Sequence, residues 1–189
     1  NVVVATGGLS IPALGASNLG YRIATHFGLP IVPTAPALVP LTFPPSFGAR
    51  WKGLSGISVD ANVTAGGISF RENILFTHKG LSGPAILQIS SYLGDDQTFE
   101  LDVLPDDSLS SLVEDLPGEK RHLATILSQR LAQRVLDQWN DQTLDRPVNS
   151  VPTKQLETCI QNFKRWSLTA NGNVGYAKAE VTKGGVDTS

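Results

Sequence analysis

The chain has 189 residues, with one cysteine, Cys159, and no methionine. A single cysteine excludes an internal disulfide framework and a cysteine-rich zinc site. The histidines His26, His78 and His122 are scattered, so none forms a metal-binding pair at helical spacing. No apolar run reaches the length of about 18 residues that a transmembrane helix needs. No signal-peptide pattern is present. These absences make a cytoplasmic setting without a membrane partner the expectation. The net charge is −2 and there is no basic block, so the charge pattern does not ask for a nucleic acid. Gly15 and Gly20 are not followed by Gly-Lys-Ser/Thr, which excludes a P-loop. The Gly-x-Gly-x-x-Gly fingerprint and the Gly-x-Ser-x-Gly elbow are absent throughout. The acidic pairs Asp95-Asp96, Asp106-Asp107 and Glu114-Asp115 lie in polar or capping contexts and read as surface groups.

What remains is a chain able to build a core: 41% of its residues are hydrophobic and 17% charged, which suits one or two small globular domains. Residues 2–5, all Val or Ala, read as a short buried strand ending in Thr6-Gly7-Gly8. Residues 18–27 read as a helix, capped by Asn18, with Tyr21, Ile23, Ala24 and Phe27 as its apolar positions and Gly28 as its stop. His26 falls in the last turn, where a cation suits the helix dipole, and reads as structural. Pro30, Pro33, Pro36, Pro40, Pro44 and Pro45 make the next stretch extended and confine its strands to edges, as in a crossing between domains.

The clearest β signal follows. Ile57, Val59, Ala61 and Val63 alternate with polar residues, Ala65-Gly66-Gly67 turns the chain, and Ile68, Phe70, Ile74 and Phe76 return. Residues 99–103 and 174–181 read as further strands, the later one in the same sheet system as the hairpin. Several short strands with glycine turns point to a small barrel or sandwich. Between the strands lie three amphipathic stripes, which read as a three-helix bundle inserted into a β part able to fold without it. The first is Leu109, Leu112, Val113 and Leu116; the second is Leu123, Leu127, Leu131 and Val135; the third is Leu156, Cys159, Ile160, Phe163 and Trp166. Cys159 on its stripe reads as core rather than nucleophile, Trp139 and Trp166 as packing anchors, and His122 as solvent-facing.

The stretch Phe76-Thr77-His78-Lys79-Gly80-Leu81-Ser82-Gly83-Pro84 organises the chain. It reads as a link from the strand to a helix over residues 85–93, with Ser82 or Gly83 as cap, Pro84 in the first turn and Gly94 as stop. The free N–H groups of that helix would point back at His78 and Lys79. Such a turn serves either as a plain capped connection or as a site for an anion or a carbonyl oxygen.

The run from Phe76 to Ala85 resembles a signature of the BaiN/RdsA-like family of bacterial flavoproteins, which are NAD(P)/FAD-dependent oxidoreductases. Three other stretches are similar to the same family: Ala5-Thr6-Gly7-Gly8 with Ser10 and Pro12, Pro36-Ala37-Leu38-Val39-Pro40-Leu41, and Ala179-Glu180-Val181-Thr182-Lys183-Gly184-Gly185-Val186. Together they span nearly the whole chain in the family's order. The resemblance implies an α+β internal segment of a longer protein, as do the start at Asn1 and the turn-like end. Residues 1–33 would be a fringe of the α/β FAD-binding domain, and 34–105 the barrel-like part of an inserted domain that covers the flavin. Residues 106–170 would be a helical insertion, and 171–189 the return strand and exit.

The resemblance further implies FAD in the intact protein, little or none held by this piece, and NAD(P)H as a candidate reductant. The implied partners are the FAD-binding remainder of the same chain and a small-molecule substrate. Thr6, Gly7 and Gly8 would lie near FAD, and Thr77, Lys79, Ser82 and Gly83 would face the flavin or substrate. His78 would donate a proton or a hydrogen bond in catalysis. The alternative is a non-catalytic binding or interaction module built from the barrel and the bundle.

Overall fold

A computed structural model describes residues 1–94, 97–114, 116, 119–139 and 141–189. Asp95, Asp96 and Asp115, read above as surface carboxylates, lie outside the described residues. Along the chain run α1 (Leu19–His26), β1 (Ile31–Ala37), β2 (Leu41–Thr42), α2 (Pro45–Arg50), β3 (Ser58–Ala65), β4 (Ile68–Phe76), β5 (Gly80–Ser82) and α3 (Pro84–Ser90). Then come β6 (Thr98–Asp102), α4 (Leu109–Glu114), α5 (Leu123–Leu127), α6 (Gln133–Trp139), α7 (Thr153–Lys164), β7 (Trp166–Thr169), β8 (Gly172–Asn173) and β9 (Val181–Val186).

Seven strands form one antiparallel sheet in the order β7-β6-β3-β4-β5-β2-β8. Its two edge strands are almost consecutive in sequence. Thr169 and Gly172 are three residues apart, so at most about 11 Å of chain joins them. In a flat sheet, six strand spacings would separate those edges by about 29 Å. The sheet therefore curls into a barrel. The junction is secured where Ala170 N–H donates to Gln97 O at 3.0 Å and Asn171 N–H to Thr42 O at 2.9 Å. The hairpin β3–β4 lies where the alternation places it, with Val59, Ala61, Val63 and Ala65 buried on one face of β3.

β1 and β9 form a separate two-stranded ribbon through which the chain enters and leaves the barrel. This corrects the expectation of a strand over residues 174–181 in the sheet system of the hairpin. After β8, Asn173 Oδ1 accepts the Gly175 N–H at 2.9 Å, Gly175 takes φ 72°, and Lys178 and Ala179 donate to its carbonyl. An Asx turn with a left-handed glycine breaks the extended run, and β9 begins only at Val181. The strand expected at residues 2–5 is also absent: no ladder is formed there, and Val2 and Val3 are 92% and 86% exposed. Alternation or an apolar run makes a strand only where a partner satisfies its N–H and C=O groups.

The expected helix at residues 18–27 appears as α1, followed by Gly28 at φ 75°. The expected helix at 85–93 appears as α3 and ends earlier than Gly94. The Ser90 hydroxyl turns back to Leu87 O at 2.7 Å and also receives the Val39 N–H at 3.1 Å, competing with helix continuation. Among the described residues the helical block holds four α-helices, so the expected three-helix bundle is not borne out. Its second stripe breaks after Leu127, where the Ser128 hydroxyl donates to Thr125 O at 2.8 Å, and resumes in α6. Its third stripe stops at Lys164, and Trp166 opens barrel strand β7.

One continuous hydrophobic core joins barrel and helices, from Val63, Phe76 and Leu101 to Leu136, Ile160 and Phe163. Aromatic rings knit the junction: Trp139 stacks on Phe163 with centroids 4.0 Å apart, and Trp51 lies 4.6 Å from Trp166. Trp139 and Trp166 are thus the packing anchors expected.

Candidate functional site

The organising stretch folds as a hairpin turn rather than a strand-to-helix link. β4 ends at Phe76, residues 77–79 turn, and β5 returns beside β4 with Phe76 opposite Leu81 and Leu75 opposite Ser82. Thr77 builds the turn from inside. Its N–H and hydroxyl both reach Gly80 O, at 2.8 and 3.1 Å, and its Oγ1 accepts the Gly80 N–H at 3.1 Å and the Lys79 N–H at 3.3 Å. This committed hydroxyl leaves His78 and Lys79 exposed at the tip.

Gly83 is the N-cap of α3 and Pro84 opens it, as the sequence suggests, but the cleft that His78 lines includes no residue of the helix start. A three-residue strand of about 10 Å intervenes. The backbone of Gly83 lies against β4, where a Cβ would stand 2.6 Å from Asn73 O and 2.9 Å from Leu75 N. With φ 92° and ψ 162°, the position lies in a region almost reserved for glycine. Ser82 and Gly83 therefore belong to the β4–β5–α3 packing. The expected convergence of the helix N-terminus on His78 and Lys79 does not form.

His78 and Lys79 instead line a cleft of about 620 Å³ together with Thr77, Pro44, Lys52 and Asn171. Lys52 was missed by sequence reasoning; it sits on a short turn after α2 and only the barrel brings it opposite the 77–79 turn. Thr6 and Gly7 line a different, apolar cleft of about 730 Å³ with Tyr21, Ala24, Phe27 and Val186. The two clefts share no lining residue. Gly7 has φ 71° and open space where a Cβ would project, so its backbone is free for close approach. Gly8 is packed instead, 2.8 Å from Thr182 Oγ1 at its Cβ position. Thr182 Oγ1 also accepts the N–H groups of Leu9 and Ser10 at 3.0 and 3.1 Å. The return strand β9 thus holds the glycine turn.

Cys159 is buried in α7. Burial pushes its thiol well above the ordinary range, and the neighbouring Asp141 charge adds to the shift. A thiol so protonated is no nucleophile at neutral pH. Burial works against the Asp141 charge, but the Thr143 N–H at 2.9 Å, the Thr143 hydroxyl and the Cys159 thiol together hold the carboxyl below its ordinary value. Among the described residues no cluster of His, Cys, Asp or Glu could hold a metal ion. No described helix is long and apolar enough to cross a membrane.

A curled antiparallel barrel carrying short helices, reached through a two-stranded ribbon, defines the class of domain. The chain matches the family described as "HI0933-like protein barrel and H2TH domain" over residues 35–181. It belongs to this family, the BaiN/RdsA-like flavoproteins that its motifs resemble. It is 42% identical to a ribosomal RNA dihydrouridine synthase of Escherichia coli and 39% identical to one of Haemophilus influenzae, in each case over all of this chain and 48% of the relative. It is 27% identical to a 3-dehydro-bile acid delta(4,6)-reductase of Clostridium scindens, over 99% of this chain and 50% of that protein. The chain thus spans about half the length of the curated relatives it matches.

Proposed function

We propose that this chain is the barrel-and-helix segment, with its flavin-side fringe, of a FAD-dependent oxidoreductase that reduces uridine in ribosomal RNA. The observation that carries the reading is the grip of Thr182 on Gly8, Leu9 and Ser10. It ties β9, the ribbon strand through which the chain leaves the barrel, to the glycine turn, and so supports a link between an inserted domain and the edge of a cofactor site. The substrate is taken from the names of the two more similar relatives.

The residues present fit one side of a flavin. Thr6 and Gly7 offer an open backbone beside an apolar cleft, while the phosphate-binding glycines belong to the remainder of the protein. When bound, FAD supplies hydride transfer, with NAD(P)H as the reductant. Reduction of the uracil C5–C6 double bond needs a hydride at one carbon and a proton at the other. The reading assigns that proton to His78, exposed on the 77–79 turn, and the holding of negative charge to Lys79 beside it. The inserted domain covers the flavin and excludes water around the reacting base.

The intact protein, loaded with FAD and given NADH or NADPH, is incubated with ribosomal RNA lacking dihydrouridine, and the nucleosides are quantified by mass spectrometry. Dihydrouridine accumulates if the reading is right. A flavin-loaded protein that forms none overturns it, and an intact protein that never holds flavin favours the non-catalytic module.

A further inference from the structure

We propose that the cleft between the 77–79 turn and the segment after α2 binds the phosphodiester backbone of single-stranded RNA, with Lys52 and Lys79 as its phosphate contacts. This rests on the reading that the substrate is RNA.

The net charge of −2 conceals a local asymmetry. The cleft is lined by Lys52, His78 and Lys79 and by no carboxylate. The other polar clefts differ: one carries Asp141, another Asp60, Asp106 and Asp107, and a third Asp137, Asp141 and Asp145. Some cations elsewhere are neutralised in place, Arg71 by Asp60 and Asp106, Arg130 by Asp107, and Lys164 by Asp102. Among the described residues, neither Lys52 nor Lys79 forms an ion pair. A concave surface with cations of one sign and no counter-charge concentrates a polyanion.

The rest of the lining suits a nucleotide strand rather than a bare anion. Phe43, Pro44 and Pro45 supply apolar wall, and Asn171, whose Oδ1 receives the Thr42 hydroxyl at 3.0 Å, keeps its amide N–H groups for an acceptor. The volume of about 620 Å³ is that of a small-ligand site, enough for one nucleotide unit at a time along a strand. Backbone contacts of this kind position a nucleic acid without reading its sequence. They would hold a base near His78 while the flavin side selects it.

The test uses the intact flavoprotein and a fluorescein-labelled, uridine-containing single-stranded RNA of about 15 nucleotides. Binding is followed by fluorescence anisotropy across about 0.05–0.3 M KCl. The double variant Lys52→Gln/Lys79→Gln is compared with wild type and with Lys154→Gln, an exposed position on α7. Loss of two phosphate contacts is expected to lower affinity about tenfold at 0.15 M salt and to shrink the log–log salt slope by about 1.4. The Lys154 variant is expected to bind like wild type. Unchanged affinity and slope in the double variant overturn the proposal, as does a wild type that does not bind the RNA. A rise in KM for NAD(P)H with unchanged RNA binding also overturns it, assigning the cleft to dinucleotide phosphates instead. If dihydrouridine forms while the double variant binds normally, the cleft assignment fails and the functional reading stands. If RNA binds through these lysines and no dihydrouridine forms, the cleft stands and the functional reading fails.

Discussion

The hydroxyl of Thr182 stands 2.9 Å from that of Ser10, on strands of chain 172 residues apart. The same oxygen accepts two backbone N–H groups, so one side chain of β9 fixes the exit of the glycine turn. Thr182→Val keeps the shape and removes the acceptor. The two N–H groups are partly buried, so water replaces some of what is lost, and a cost of about 1 kcal/mol is expected. Amide exchange at Leu9 and Ser10 should accelerate about fivefold, and the intact protein should lose flavin more readily. Thr182→Ser should restore both. Wild-type exchange in the Val variant would show that the contact does not hold the turn.

Gly83 offers a test of the β4–α3 packing. A methyl group there meets Asn73 O and Leu75 N in a backbone conformation hostile to any side chain. Gly83→Ala should destabilise by roughly 2–3 kcal/mol. Gly66, at φ 56° with open space around it, is the control and should cost about 1 kcal/mol. Urea unfolding of both variants decides; equal costs would mean that the close approach at Gly83 carries no weight.

These two glycines also mark what the sequence displays. The hairpin at 57–76 was legible because it buries one face, and the proline at the start of α3 because its fixed φ suits a first helical turn. The β4–β5 turn was not, because β5 has three residues, too few for any period to appear. Its cause is the Thr77 hydroxyl, whose several bonds close the loop locally. β9 was misplaced because its burial follows one partner strand, β1, and no core face. Lys52 joins the candidate cleft through barrel closure alone, and no spacing announces that. Cys159 on its apolar stripe was read as core, and it is core.

Asp141 should give stability a measurable pH dependence. Its folded-state value lies below the ordinary 3.8, so its contribution is complete above 3.8 and is lost as the pH falls through the lower folded value. Asp141→Asn should therefore lower the denaturation midpoint at pH 7, with the deficit closing at the acid end of that window. A deficit equally large below the folded value would show that the carboxylate charge is not its source.

Cys159 should resist alkylation in the native state. Its thiol is buried and strongly disfavoured as a thiolate. Iodoacetamide at about pH 8 should modify it readily after unfolding in urea and at least about 100-fold more slowly before. Rapid labelling of the folded protein would reveal an opening of α7 that the packing forbids.

His78 gives the sharpest test of the chemistry. The imidazole stands exposed on a turn that Thr77 closes with its own hydroxyl, so the fold has no evident use for it. Gln keeps a polar side chain of similar reach and cannot act as a general acid. General acid–base help is worth about 10²–10⁴-fold, and part of it can be recovered from water. His78→Gln in the intact flavoprotein should therefore lower turnover at least about tenfold, roughly 1.4 kcal/mol of barrier. Flavin content and thermal midpoint should stay near wild type, because the turn's hydrogen bonds are untouched. That control separates lost chemistry from lost folding. A variant that keeps its flavin, its stability and its full turnover would reduce the 77–79 turn to a structural loop and move the proton donor elsewhere.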